Sequence, residues 1–363
     1  MHAPYVICCE PRYFDVVEGD NGYQPEGRRK WLENPEHWKA RLLKTWHSVA
    51  FELERRGVTL IRVQPQADLP DQAFAADQVV VVMKEHGPRY VIPSNMNSSN
   101  RQREVALTVE ALKSNQFANW GGDVKVDYIK HEGTGDFLYL PGHDFYVQGY
   151  GPRSQSGIGI VLSAAVNQLV AEVPLQVEAG GEGEGLVSKE TKGFHLDTIV
   201  LPLPGKRIVA CFERMAPQTR AFFEALYPAK DRISLTPEEA DTFVTNSIVV
   251  PALAEDGSKN GQTIFIPDTT PRAIRNKLKA WGFGLKAFDF EPSKLSGGGL
   301  HCMFNFVFKC NEGDSKAVTV YDGPNGEGTE SWPDVMKPLP PNLRAAIKWR
   351  SMRERWEYAP IAA

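Results

Sequence analysis

The chain has 363 residues, a formal net charge of −4 and 42% hydrophobic residues, enough for a substantial packed core. The slightly acidic balance excludes a nucleic-acid-binding surface as its main business. No run approaches the roughly 18 apolar residues of a membrane span, and Met1 to Glu10 has no basic start and no long apolar stretch, so neither a membrane partner nor a signal peptide is expected.

The cysteines are Cys8, Cys9, Cys211, Cys302 and Cys310. Their number is odd, two are adjacent and none has CxxC spacing. That pattern argues against a disulfide framework or a structural zinc site and fits a reducing, cytoplasmic compartment. No metal and no cofactor are expected. Four of the five lie in apolar strand-like runs, where a buried inert thiol is the default.

Read from the N-terminus, one unit recurs: a helix, a short strand, a loop and a β-hairpin. Helices are predicted over Trp38–Arg56, Arg101–Gln116, Ser154–Val170, Pro217–Leu226 and Pro271–Trp281. Each leads into a strand: Val58–Val63, Val124–Ile129, Val173–Val177, Arg232–Leu235 and Leu285–Phe290. Hairpins are predicted from Gln78–Val82 with Tyr90–Ile92, Phe137–Leu140 with Phe145–Val147, Thr198–Leu201 with Arg207–Ala210, and Ser247–Val250 with Thr263–Ile266. Pro-Gly or polar turns join them. Cys302 is expected to open a fifth strand, Met303–Phe308, with Tyr5–Cys8 as its partner. Self-similarity of this kind implies one reused supersecondary unit, and five such units would close into a ring as propellers do.

The residue heading each hairpin is polar: Asp77, Asp136, His195, Asn246 and Cys302. Pseudo-symmetric units place equivalent residues around one axis, so these five side chains would meet in a central pocket. Cys302 stands out because Ser296-Gly297-Gly298-Gly299-Leu300-His301 runs directly into it. Glycines allow positive φ and close approach of a ligand to the backbone, which places this thiol like a nucleophile.

Five segments carry a resemblance. They are Leu69-Pro70-Asp71-Gln72-Ala73-Phe74-Ala75-Ala76-Asp77, Glu132-Gly133-Thr134-Gly135-Asp136, Gly149-Tyr150-Gly151-Pro152-Arg153-Ser154, Phe194-His195-Leu196-Asp197 and the Gly-Gly-Gly-Leu-His-Cys302 segment. In this order the chain, over residues 58 to 308, resembles the guanidino-modifying enzymes of the pentein superfamily. That group includes arginine deiminases, dimethylarginine dimethylaminohydrolases, arginine dihydrolases and amidinotransferases. The resemblance implies a five-fold pseudosymmetric α/β propeller, a pentein barrel of ββαβ units, with the site in its central channel.

It also implies a small guanidino compound as substrate. Cys302 would attack the guanidinium carbon and form a covalent thiouronium intermediate. His195 would act as general acid and then base, oriented by Glu132. Substrate contacts fall on Asp77, Asp197, Asp136, Arg153, Asp71 and Asn246, the carboxylates holding the planar cation by charge-assisted hydrogen bonds. Arg153 matches the family's arginine that binds the substrate's α-carboxylate; a second arginine, expected in the loop after the first hairpin, is not obvious: counting back from Glu104, its position holds Asn95, with Arg101 and Arg103 nearby. Arginine dihydrolases carry asparagine where Asp77 stands, which implies a single deimination step here. His301 neighbours Cys302, but adjacent strand residues point to opposite faces, so it is not expected as a partner. An amidinotransferase and a non-catalytic binding protein of the same fold are the competing readings.

Gly180 to Gly193 reads as a loop before His195, either a substrate lid or a surface insertion. Residues 1–312 are expected to form one catalytic domain. Residues 313–363 would be an extension in which Asn342–Glu357 forms a basic amphipathic helix. Assembly into a homo-oligomer is left open.

Overall fold

The computed structural model describes residues 5–17, 21–84, 87–114, 129–166, 168–175, 192–309, 320–322 and 348–349. The chain begins with β1 (Tyr5–Cys9), α1 (Gln24–Glu33), α2 (Pro35–Arg55) and β2 (Thr59–Val63). There follow β3 (Val79–Lys84), β4 (Gly87–Pro93), α3 (Gln102–Ser114), β5 (Phe137–Leu140), β6 (Phe145–Tyr150), α4 (Ile158–Val166) and β7 (Val170–Pro174). Next are β8 (Val200–Leu203), β9 (Arg207–Ala210), α5 (Pro217–Leu226), β10 (Arg232–Ser234), α6 (Pro237–Ala240), β11 (Ile248–Pro251), β12 (Gln262–Pro267), α7 (Arg272–Ala280) and β13 (Gly284–Phe288). The last are α8 (Glu291–Lys294), α9 (Leu300–Met303), β14 (Phe304–Phe306), β15 (Phe308–Lys309), β16 (Val320–Asp322) and β17 (Lys348–Trp349).

Local chemistry explains the helices. The Asn34 side chain accepts from the His37 amide and Pro35 opens α2, which satisfies an orphan donor at a helix start. Leu42, Trp46, Val49, Ala50 and Leu53 then bury one face of that helix. Thr236 and Glu239 form a capping box on α6, and Ile274 and Leu278, one helical turn apart, are the residues that α7 buries.

The repeated unit is real. In three sheets an antiparallel hairpin is followed by a helix and a strand that returns parallel to the hairpin's second strand: β5-β6-β7, β8-β9-β10 and β11-β12-β13. A fourth copy joins distant parts of the chain, since β14 pairs antiparallel with β1 and β2 lies parallel to β1. The remaining sheet has the β3-β4 hairpin with β15 parallel to β3. These are five separate sheets, and no closed barrel of strands links them among the described residues.

Four expectations need correcting. The sequence reading did not anticipate α1, a charged segment that buries only Gln24, Gly27 and Trp31. Helix α4 starts at Ile158 because the Gly157 and Gly159 amides are held by the Glu172 carboxylate, and β7 starts at Val170, opposite Tyr146. Cys302 does not open a strand: it lies in the helical turn α9, and the strand begins at Phe304. Within the expected basic helix Asn342–Glu357, Lys348–Trp349 is instead a short strand paired with Asp322 and Tyr321, so ladder pairing replaces helix there. The rest of that helix, residues 180–191 of the expected loop Gly180–Gly193, residues 124–128 of the expected strand Val124–Ile129, and Cys310 lie outside the described residues.

One feature is invisible to strand patterning. A short helical turn precedes every hairpin: Ala75–Asp77, Gly133–Gly135, Leu196–Thr198, Val244–Asn246 and Leu300–Met303. These turns pack on one another rather than on solvent; Asp77, Asp136, Asn246 and Cys302 are all buried. They gather the polar hairpin heads.

Candidate active site

The first side of the site is built on His195. Its Nε2 lies 3.0 Å from Glu132 Oε2. Glu132 is fully buried; its Oε1 accepts from the Asn97 amide at 3.0 Å and its Oε2 also meets Arg153 Nη1 at 3.3 Å. Burial opposes the charge on Glu132, but Arg153 and His195 outweigh it and hold the carboxyl below its usual range. Burial also opposes the charge on His195. Here the carboxylates of Asp77, Asp136 and Glu132 prevail and raise the imidazole to about 9. The ring is therefore an acid at neutral pH, locked through one nitrogen.

The other nitrogen faces a carboxylate without bonding it. His195 Nδ1 lies 3.6 Å from Asp77 Oδ1, and neither atom has a hydrogen-bond partner. Asp77 Oδ2 is taken by Arg101 Nη1 at 2.9 Å. Burial raises the Asp77 carboxyl, against the pull of His195 and Arg101. Gly135 leaves this edge open, because a Cβ there would sit 2.8 Å from Nδ1 and 2.9 Å from Oδ1. Unpartnered buried polar atoms are costly, so a pair of them lining a cavity marks where a ligand belongs.

The second side is built on Cys302, which is 3% exposed. Asn246 brackets it: Nδ2 donates to Sγ at 3.2 Å and Oδ1 accepts from the Cys302 amide at 3.2 Å. Asp197 Oδ2 lies 3.6 Å from Sγ and 2.9 Å from His301 Nδ1, while Asp197 Oδ1 has no partner. Burial, then the charges of Asp197 and Asp77, push the thiol well above its ordinary range. The three glycines do different jobs. Gly297 has φ +85, whereas a Cβ on Gly298 would sit 2.1 Å from Phe74 Cε1 and one on Gly299 2.7 Å from Asn246 Oδ1. Close packing thus accounts for two of them, not backbone freedom.

One cavity joins the two sides; its lining includes Asp71, Asp77, Arg101, Arg153, His195 and Cys302. Asp197 and Asn246 stand directly behind the thiol. Asp136 is corrected: Ser154 Oγ donates to its Oδ2 at 2.6 Å and the Leu196 amide to its Oδ1 at 3.0 Å. It braces the backbone beside His195 rather than facing the cavity, and burial raises its carboxyl to about 7. Thr134, in the Glu-Gly-Thr-Gly-Asp loop, donates to Ala76 O at 3.1 Å and so ties that loop to the Asp77 turn.

Sequence reasoning left Arg101 as a neighbour and dismissed His301. Arg101 binds Glu104 through Nε and Nη2 as well as Asp77; its place three residues before Glu104 at a helix start was the available signal. His301 was dismissed on strand alternation, which fails because residues 300–303 are helical. Asn21, Gln24 and Ser296 also line the cavity. Asn95, where a second arginine was sought, is held by Lys130 Nζ at 2.9 Å. Among the described residues no cluster of metal-ligating side chains occurs, and no helix is long and apolar enough to cross a membrane.

Known proteins share this architecture. The cyanobacterial arginine dihydrolase ArgZ superposes with a TM-score of 0.71 over 88% of this chain, at 19% identity. The chain spans 43% of full-length ArgZ but 98% of its separately solved N-terminal domain. The dimethylarginine dimethylaminohydrolase of Pseudomonas aeruginosa, solved with citrulline, gives 0.58 over 83% of this chain and 98% of its own, at 18% identity. Fold and site together define a guanidino-modifying enzyme of the pentein superfamily. The family model for N,N dimethylarginine dimethylhydrolase, eukaryotic, matches residues 10–309, and the chain belongs to that family. An uncharacterized Caenorhabditis elegans protein is 22% identical over 267 residues, 73% of this chain and 83% of its own.

Proposed function

We propose that the protein hydrolyses the guanidino group of an arginine-like or methylarginine substrate through a covalent intermediate on Cys302. The observation that carries this reading is an unpartnered carboxylate oxygen of Asp77 lining one cavity with the Cys302 thiol, with a second on Asp197 behind that thiol. Two open carboxylates and a nucleophile suit a planar cation with an electrophilic carbon. In this reading residues 1–312 are the catalytic unit, its five units arranged as a propeller about the site, in a cytoplasmic enzyme.

The bound guanidinium supplies the positive charge that the thiol lacks, and so favours the thiolate. The sulfur forms a bond to the guanidinium carbon. His195 gives its proton to one nitrogen, the carbon–nitrogen bond breaks, and ammonia or a methylamine leaves. A cationic thiouronium remains. Neutral His195 then takes a proton from water as the oxygen adds to the same carbon. The carbon–sulfur bond breaks with its electron pair returning to sulfur, and the released amine carries off the last proton as its ammonium. Glu132 holds the imidazole in place through both halves.

The test is product analysis. Arginine, methylated arginines, agmatine and guanidino acids should be screened for ammonia, methylamines and ureido products by mass spectrometry. Cys302→Ala is expected to abolish turnover while substrate binding survives. Full activity in that variant would overturn the reading, and passage of the amidino group to an added amine would make the protein a transferase.

A further inference from the structure

The resting Cys302 thiol must lose a proton before it attacks, and His195 is a poor acceptor. Its carboxylate neighbours keep it protonated up to about 9, and Glu132 occupies its Nε2. Asp77 is turned to Arg101. Asp197 Oδ2, 3.6 Å from the sulfur, also lies 2.9 Å from His301 Nδ1. The helical turn Leu300–Met303 makes this possible, because it lets consecutive side chains reach one carboxylate from neighbouring directions. Exposure separates the two histidines: the His301 side chain is 16% exposed, against 1% for His195 and 2% for Asp197. His301 is where this buried acid–base set meets water.

We propose that His301 takes up the Cys302 proton by way of Asp197. The S–H bond breaks and its electron pair stays on sulfur; the proton passes to Asp197 Oδ2 and on to Nδ1 of the His301 tautomer that carries its hydrogen on Nε2. Thiolate, carboxylate and imidazolium result, and the Nε2 proton can then leave to solvent. The imidazolium also neutralises the carboxylate whose field opposes the thiolate. The other charged and titratable groups that line the cavity with the sulfur are Asp71, Asp77 with Arg101, Arg153, and His195 with Glu132 behind it. His301 acts through Asp197 and is a positioning residue. Its part in turnover rests on the hydrolase reading; its effect on the thiol does not.

The test reads the thiol, not turnover. The full chain would be alkylated with iodoacetamide across a pH series, with and without methylguanidinium chloride, and Cys302 modification followed by peptide mass spectrometry. In His301→Asn the side chain keeps a polar group beside Asp197 but has no site that can take a proton. Its alkylation at neutral pH should be at least about tenfold slower than wild type, with the midpoint displaced to higher pH by about one unit or more. In His301→Ala, added imidazole should restore the rate. An unchanged pH profile in His301→Asn overturns the proposal, as does failure of imidazole to rescue His301→Ala should the first variant misfold. Wild-type turnover with an unchanged alkylation profile would sink the role of His301 alone. Altered alkylation with no guanidino turnover would sink the hydrolase reading alone.

Discussion

Two buried arginine–carboxylate clusters in this molecule are built to opposite ends. At the end of α2, Glu52 engages Arg56 with one oxygen, and with the other meets Lys286 at 2.6 Å and Arg55 at 3.0 Å. Asp256 completes that cluster, 2.7 Å from Arg56 Nη2. In the cavity, Arg101 engages one oxygen of Asp77 and leaves the other without a partner. Glu52 and Asp77 are almost equally buried, at 5% and 4% exposure. Burial opposes the charge on both; at Glu52 the three cations outweigh it and hold the carboxyl below its ordinary range, whereas at Asp77, set deeper in the molecule, burial with the charges of Glu132 and Asp197 outweighs His195 and Arg101 and raises the carboxyl. A carboxylate with both oxygens engaged secures the fold. One left half open keeps a desolvated charge waiting for a cation from outside.

Glu52→Ala should break the closed cluster and little else. Arg56 is left with Asp256 alone and Lys286 with no carboxylate in that cluster, so the loss should approach the roughly 3–5 kcal/mol typical of a broken buried pair without exceeding it. Denaturant unfolding should record that loss, while kcat and KM below the melting range stay at wild-type values. A fall in turnover per folded molecule would mean that the two clusters are coupled and the contrast is false.

Asp77→Asn tests the open cluster. Arg101 keeps Glu104, so the stability loss should be smaller than in Glu52→Ala. What disappears is a charge-assisted contact to the substrate cation, worth roughly 1.5–3 kcal/mol. Steady-state kinetics should show kcat/KM down by about 10- to 150-fold. A variant that lost stability but kept kcat/KM would assign Asp77 to structure.

The difference between these clusters explains what could be read in the sequence. Asp77, His195 and Cys302 were legible because each heads an apolar hairpin, and strand periodicity survives in a linear pattern. Glu132 and Asp197 were legible only beside familiar motifs. Whether a carboxylate is open or closed was not legible, since it depends on partners far away in the chain: Lys286 and Asp256 for the Glu52–Arg56 pair, Arg101 and His195 for Asp77. The short turns that gather the site were missed because three or four residues carry no periodicity. That omission put Cys302 in a strand and set His301 aside. Asp136 was assigned to the substrate from its place in the repeat, but a place in the repeat does not say whether Ser154 and Leu196 have already used its oxygens.

The pH dependence carries the contrast to its smallest effect. The ordinary imidazole pKa is near 6.5, and His195 is raised to about 9. Raised in the folded state, the group adds stability that is fully present below pH 6.5 and lost as pH rises through about 9. Turnover should follow in the same window, because the general acid is then deprotonated, and kcat should fall about tenfold per pH unit on that limb. The charge of Asp77 is the largest of those that hold the proton, so Asp77→Asn should move the limb to lower pH. Glu52→Ala removes a carboxylate from the closed cluster and should leave the limb where it is. Rate profiles of wild type and both variants separate the outcomes: a limb that stays fixed in Asp77→Asn belongs to some other group, and one that moves in Glu52→Ala means the closed cluster reaches His195 after all.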